Sequence, residues 1–312
     1  MKDFRSRILR KTAPLAAVLG LLVCTAAAQT LPLPSGPPIA NEVRFAALGD
    51  SGNGNDGQLA VARQMFAVQQ NTKFDLIVFL GDNIYNSGSP GDFGRKFTLP
   101  YRQFIENGTE MRGVVGNHDV RGEADGGVLL QQMMFQMGTR PYFAFDRGGG
   151  QVEFFGIDSN AFITPNLSQN ARDQLHWLDR ELGGSRAKWK ILLLHHPLYS
   201  SAKKHGWTSR DQGEMESVRN AIEPLLERHG VKIVLAGHDH VYERVKPQKG
   251  IFHFVSGTGS ETRVGDIQSN SPFYVFGSDR ELGFMLFSAA NDRVNFWAIN
   301  AQGGVVDSGT LR

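Results

Sequence analysis

Val231-Lys232-Ile233-Val234-Leu235-Ala236-Gly237-His238-Asp239-His240 opens as an apolar run of the kind buried in a sheet and closes on two histidines one residue apart. Side chains alternate along a strand, but where it ends the backbone turns. Gly237 lets the turn be sharp, so His238 and His240 can converge on one cavity at the sheet edge. Taken alone, such a pair is more often a polar turn with two satisfied histidines. The rest of the chain decides between these readings.

Working outward, the same pattern recurs. Phe45 to Leu48, Asp75 to Leu80, Arg112 to Val115 and Ile191 to Leu194 are further short apolar runs, each ending in a polar loop. Asp50 follows the first in Gly49-Asp50-Ser51-Gly52. Asp82 follows the second in Gly81-Asp82-Asn83-Ile84-Tyr85, and Asn117 and His118 follow the third in Gly116-Asn117-His118-Asp119. His195 follows the fourth in Leu194-His195-His196-Pro197. Five strands thus deliver carboxylate, amide or imidazole groups from their C-terminal ends, the edge of an α/β sheet where ligands bind. Two Asp, a Tyr, an Asn and three His would overfill one four-coordinate ion; they suit two adjacent ions bridged by a carboxylate.

Helical spacing over Leu59 to Gln70, Asp173 to Leu182 and Glu214 to Arg228 separates the runs, with Ser168 or Asn170 to cap the second. Tyr142 to Asp146 and Val152 to Asp158 flank Gly148-Gly149-Gly150 and read as a hairpin. Beyond Val255 the chain is strand-rich, with Phe284 to Ser288 and Val294 to Asn300 meeting at Asn291-Asp292. The expected fold class is one α/β domain of stacked sheets covered by helices. His176 and His229 fall on helical patterns and read as exposed, and His253 reads as a satisfied strand residue.

The first segment differs from the rest. Lys2, Arg5, Arg7, Arg10 and Lys11 precede the apolar Leu15 to Cys24 and the small residues Ala26-Ala27-Ala28, the pattern of a secretory signal peptide over residues 1–28. A short Pro-rich leader, 29–41, then leads to a single domain over 42–312. Cleavage near Ala28 takes five basic residues and one acidic one, leaving 28 basic against 30 acidic and a net charge of about −2. No nucleic-acid partner is expected, and no further run is long enough to span a membrane. The only cysteine, Cys24, leaves with the leader, so a metal must be held by oxygen and nitrogen donors. Lipid attachment at Cys24 is disfavoured by the bulk of Val23 before it.

The ordered blocks resemble those of the calcineurin-like metallophosphoesterases and, within them, the purple acid phosphatases of the tartrate-resistant type. The resemblance runs from about Phe45 to Ser260, and Gln174 with Trp177, Leu178 and Leu182, and Val241 to Arg244, are similar to the family's flanking pattern. It implies a four-layer α/β/β/α sandwich of two mixed sheets with the metal site at the C-terminal strand ends. It implies Fe(III) held by Asp50, Asp82, Tyr85 and His240, and a divalent ion (Fe, Zn or Mn) held by Asp82, Asn117, His195 and His238. Generic members carry a histidine where Gly52 stands; the Tyr85 phenolate takes its place and favours a trivalent ion. His-x-Pro selects His195 as ligand, with His196 a neighbour pointing elsewhere. His118 and His205 become the candidate catalytic groups, donating to the leaving alkoxide or contacting phosphate.

The implied activity is a secreted acid phosphatase that hydrolyses small phosphate monoesters by attack of a metal-bound hydroxide. The alternative on the same site is a phosphodiesterase acting on a cyclic nucleotide or phospholipid head group. The loops Asn86 to Phe97, Arg121 to Met137 and Ser200 to Gln212 are expected to wall the pocket. A different class is a dinucleotide-binding protein through Gly52-x-Gly54-x-x-Gly57, which follows a strand and opens a helix. Against it, Asp50 would crowd a pyrophosphate, Asp75 begins the second strand where the ribose-binding acid should end it, and the histidines go unused. A protein that keeps the metal site without turnover is a further alternative.

Overall fold

Apolar strands of the two sheets described below meet face to face across aromatic contacts. The computed structural model describes residues 30–121, 128, 131–164, 166–209 and 211–312. The signal-peptide reading over 1–28 therefore lies outside the described residues, as does part of the loop Arg121 to Met137.

One sheet has six strands in the order β13 (Val305–Leu311), β12 (Arg293–Asn300), β11 (Gly283–Ala290), β1 (Val43–Leu48), β2 (Leu76–Leu80) and β3 (Glu110–Val114). The other has seven, in the order β10 (Tyr274–Ser278), β8 (Tyr242–Val245), β9 (Phe252–Ser256), β7 (Ile233–Ala236), β6 (Trp189–Leu193), β5 (Val152–Gly156) and β4 (Phe143–Arg147). β1, β2 and β3 are mutually parallel, as are β5, β6, β7 and β9. The flanking pairs are antiparallel. Every residue of β1, β2 and β7 is buried, the signature of strands covered on both faces.

Phe45 on β1 meets Phe154 on β5 edge-on at 4.9 Å, and Phe254 on β9 meets Phe296 on β12 at 4.9 Å, so the two sheets share one aromatic core. Helix α1 (Asp56–Thr72) buries Val61, Met65 and Val68 at helical spacing into that core. On the same side, Phe79 of β2 is boxed in by Phe97, Tyr101 and Phe135 at 5.0–5.3 Å, under the short helix α2 (Arg102–Glu106). Across the molecule, α3 (Gln169–Gly184) and α4 (Gln212–Arg228) bury Leu178, Leu182, Val218, Ile222 and Leu226 against Leu192 and Val234 of the second sheet. The result is two mixed sheets flanked by helices, as expected.

Local chemistry sets the boundaries. Ser168, not Asn170, caps α3, its hydroxyl accepting from the Ala171 amide at 3.2 Å. β4 and β5 form the expected hairpin across the glycine run. β11 and β12 turn at Asn291, whose φ of 51° lies in the left-handed region that Asn tolerates.

Candidate metal centre

Because β1, β2 and β3 run parallel, and β6 and β7 do so in the facing sheet, their C-terminal ends bring all five sequence blocks to one edge. The backbone is forced there: Asp50, Asp82 and His238 adopt φ of 55°, 52° and 72°. Left-handed backbone costs roughly 1–2 kcal/mol at a non-glycine residue, so neighbouring contacts must hold each one. They do. The Asp50 amide donates to the Gly81 carbonyl at 2.9 Å, the Gly52 amide to the Asp82 carbonyl at 3.1 Å, and the His238 amide to Asp50 Oδ2 at 2.7 Å.

The donor atoms fall into two groups. In the first, Tyr85 Oη lies 3.0 Å from Asp50 Oδ1 and 3.1 Å from His240 Nε2, with 3.4 Å between the last two. In the second, Asn117 Oδ1 lies 3.0 Å from His195 Nε2 and 3.1 Å from His238 Nδ1, which are themselves 3.2 Å apart. Asp82 sits between: its Oδ1 is 3.4 Å from His195 Nε2, and its carboxylate groups with Asp50 and His195 within 4.8 Å. All seven residues singled out in the sequence are thus brought together, in two groups with Asp82 between them.

Electrostatics tests whether these residues fit cations. His195 Nδ1–H donates to the Leu80 carbonyl at 2.9 Å, so in the neutral ring Nε2 carries a lone pair. It faces the Asn117 oxygen at 3.0 Å, acceptor against acceptor, a contact that a cation relieves. Burial alone would lower the His195 pKa, but Asp82 and Asp50 overcome it and raise it. Burial alone would raise Asp50, but the His240 hydrogen bond, the His195 and His240 charges and the His238 amide lower it. The Tyr85 phenol is pushed far above its ordinary value by burial and by the Asp50 and Asp82 carboxylates, so it ionises only against a strong local positive charge. Oxygen and nitrogen donors of this kind fit two cations.

The absence of a histidine at Gly52 has a steric cause. A Cβ there would lie 2.3 Å from the carbonyl carbon and oxygen of Asn83, so the position admits no side chain. Tyr85 reaches the metal centre from the next loop instead. That loop is pinned by buried Lys96, whose ammonium donates to the Tyr85 carbonyl and pairs with Asp92 at 2.8 Å.

Above the donors lies a cavity of about 530 Å³. His118 lines it, stacked edge-on to Tyr85 at 4.6 Å, and its Nδ1–H donates to the Asn86 carbonyl at 2.8 Å. Its Nε2 faces Asp82 Oδ2 at 4.0 Å and accepts from Arg121 at 3.2 Å. His205 also lines the cavity, its ring 4.3 Å from that of His238, with Nδ1–H donated to Asp239 Oδ1 at 3.1 Å. Asn86, Arg121, Lys204 and Asp211 come from the three loops expected to wall the pocket.

The structure corrects three expectations. His196 does not point elsewhere: its ring lies 4.4 Å from that of His238, and it lines the same cavity. The chain turns at once into Pro197, so consecutive residues face one side. His253 is not satisfied: it is buried on β9 with neither ring nitrogen partnered among the described residues, packs on Tyr199 at 5.1 Å, and burial pushes its pKa down to about 3. His229 is only partly exposed, because its Nε2 pairs with Asp179 at 2.6 Å. His176 is exposed as expected.

Sequence reasoning also missed residues. Glu261 and Arg263 line the cavity from the loop after β9, which is parallel to β7 and ends at the same edge. Asp119, fully buried, accepts from the amides of Asn83, Ile84 and Gly116 and from the Asn83 side chain, all at 2.8–3.1 Å. It ties the Asp82 loop to the Asn117 loop, and burial beside Asp82 pushes its pKa up to about 7. The glycine motif is spent on the helix itself: the Asn55 side chain accepts the Gln58 amide, and Gln58 Oε1 accepts the Gly54 amide.

Fold and donor set together define a metal-dependent phosphoester hydrolase. Residues 43–242 match the family model for the calcineurin-like phosphoesterases, and the chain belongs to that family. Among curated proteins it is 27% identical over 293 residues to purple acid phosphatase 7 of Arabidopsis thaliana, covering 86% of this chain and 85% of that one. Among solved structures it is similar to GAP50, described as the anchor in the inner membrane complex of Plasmodium (TM-score 0.73, 20% identity, 87% of this chain and 89% of that one). It is also similar to the purple acid phosphatase PPD1 from yellow lupin (Lupinus luteus) seeds (TM-score 0.72, 20% identity, 88% and 54%). At that identity the two structures bear on the fold.

Proposed function

We propose that the protein is a secreted, single-domain acid phosphatase with two metal ions, acting on small phosphate monoesters. The observation that carries this reading is the division of the donors into two groups about Asp82. Asp50, Tyr85, His240 and Asp82 would hold Fe(III); Asp82, Asn117, His195 and His238 would hold a divalent ion. When bound, two such cations clamp a phosphoryl group and acidify a water to supply the nucleophile.

The chain's own residues do the remainder. Asp119 holds the Asp82 and Asn117 loops in register. His118, with Nδ1 committed to Asn86, turns Nε2 toward the reacting group, and His205, braced by Asp239, faces it from the opposite loop. In the imidazolium form either one would supply a proton or a charge-assisted hydrogen bond to the leaving oxygen, His118 once the substrate draws Arg121 off its Nε2. Secretion is supported by the basic, apolar and small-residue order of residues 1–28; among the described residues no helix is long and apolar enough to cross a membrane.

Metal analysis joined to a visible spectrum and a chromogenic phosphate ester tests the proposal. Two metal equivalents, ester hydrolysis, and an iron–tyrosinate absorption lost in Tyr85→Phe are expected. A colourless two-metal protein would remove the Fe(III) assignment, preference for a diester would remove the monoester one, and tight NAD binding without metal would remove the reading entirely.

A further inference from the structure

His196 is the one cavity histidine to which neither metal binding nor leaving-group protonation gives a role. It is 3% exposed and lies against both His195 and His238, with ring centroids 5.0 and 4.4 Å away. A nitrogen of its ring is within 4.8 Å of ring nitrogens of both. Yet its Nδ1 is already occupied, lying 2.9 Å from the hydroxyl of Ser159.

The Ser159 contact settles where the imidazole proton sits. Ser159 leads out of β5, which is parallel to β6, so the two strand ends lie side by side. Its Oγ accepts the backbone amide of His196 at 3.1 Å and has, among the described residues, no other partner but His196 Nδ1. Ser159 is fully buried. Were Nδ1 protonated, the serine hydroxyl would be a buried donor with nothing to accept it, a costly arrangement. The hydroxyl therefore donates to Nδ1, and the ring proton is on Nε2. Among the described residues no side chain or carbonyl accepts that Nε2–H, and His196 lines the cavity beside the His195 and His238 donors.

We infer that His196 is a substrate-binding residue, an imidazole held by Ser159 with Nε2–H presented to the phosphoryl oxygens of the bound ester. The inference rests on the phosphoesterase reading. It gives the His195–His238 side of the cavity a hydrogen-bond donor of its own, with Ser159 as the residue that positions it.

The test uses inorganic phosphate on the two-metal protein, read by titration calorimetry, with metal content measured on every variant. His196→Phe is expected to weaken phosphate binding about ten- to a hundred-fold, the size of one hydrogen bond to a charged group, with both metals retained. His196→Gln, whose amide N–H reaches a similar position, should recover most of the affinity. In the metal-free protein, ¹⁵N spectra should show His196 protonated at Nε2 alone, and Ser159→Ala should give a tautomer mixture. Unchanged phosphate affinity in His196→Phe overturns the inference, as does an Nδ1-protonated ring. Loss of one metal equivalent also overturns it, by making His196 a ligand. If the wild-type protein takes up no metal pair and hydrolyses no ester, the phosphoesterase reading has failed first, a result seen before any variant is made.

Discussion

Replacing Asp119 separates the scaffold of the site from its ligands, because Asp119 lines no part of the cavity yet touches the backbone on both sides of it. Its Oδ2 accepts from the Gly116 amide at 2.8 Å and from the Asn83 amide and side chain at 3.1 Å, and its Oδ1 accepts from the Ile84 amide at 2.9 Å. Asp119→Ala leaves three buried backbone amides without a partner, each worth about 1–3 kcal/mol, while the Asn83 side chain keeps the Val114 carbonyl and Gln131 at 2.9 Å; with some relief from entering water, a loss of about 3–5 kcal/mol is expected. That is a large share of the roughly 5–15 kcal/mol that holds a typical domain folded. Asp119→Asn keeps an oxygen at the Oδ2 position and loses only the Ile84 bond, so about 1–2 kcal/mol is expected. Urea unfolding with a chelator present removes the contribution of bound metal and isolates this term. Because Asn83 follows Asp82 and Gly116 precedes Asn117, metal content should fall in the same order, Ala below Asn below wild type. An alanine variant that loses less than about 1 kcal/mol and retains both ions would refute the reasoning.

Two further predictions bear on histidines. His118→Ala should lower turnover about 10²- to 10⁴-fold, the usual contribution of a positioned acid, with metal content near normal; an emptied site would make His118 structural. His253→Phe should change the acid stability. An unfolded histidine titrates near pH 6.5, whereas the folded ring refuses a proton until about 3, so the native state loses about 1.4 kcal/mol per unit as pH falls from 6.5. The variant should gain about 2 kcal/mol on wild type between pH 7 and pH 5, read by urea unfolding; an equal gap at both values means that His253 has found a partner.

The five strand-end blocks were legible because each joins an apolar run to a metal-type donor, and parallel strands carry their ends to one edge. Residues whose roles depend on tertiary contact were not. Asp119 reads in sequence as a polar turn residue, and only the folded chain shows four donors around it. The loop after β9 carries Gly257-Thr258-Gly259-Ser260 where the others carry ligands, so nothing flagged the Glu261 and Arg263 that follow. β13, with Asp307, Ser308 and Gly309 at its centre, shows no clear alternation; its register comes from pairing with β12.

The glycine that opens these blocks has a physical meaning that the alignment of donors brings out. A Cβ on Gly116 would lie 2.2 Å from Asp82 Oδ1, and one on Gly237 would lie 2.6 Å from Asp50 Oδ2. The space a side chain would fill at one strand end is taken by the carboxylate of a neighbouring strand end. At these two positions the glycine and the donor it admits therefore belong to different blocks, as they do at Gly81, where a Cβ would lie 2.5 Å from His195 Nδ1. Gly116 has no left-handed φ, so alanine there perturbs by contact alone. Gly116→Ala should displace the Asp82 carboxylate, the one donor shared by both groups, and cost both ions although no ligand has changed. Metal analysis on the folded variant checks this, with circular dichroism to confirm the fold. If Gly116→Ala retains two metal equivalents at wild-type affinity, the close packing of carboxylate against glycine is not what assembles the pair.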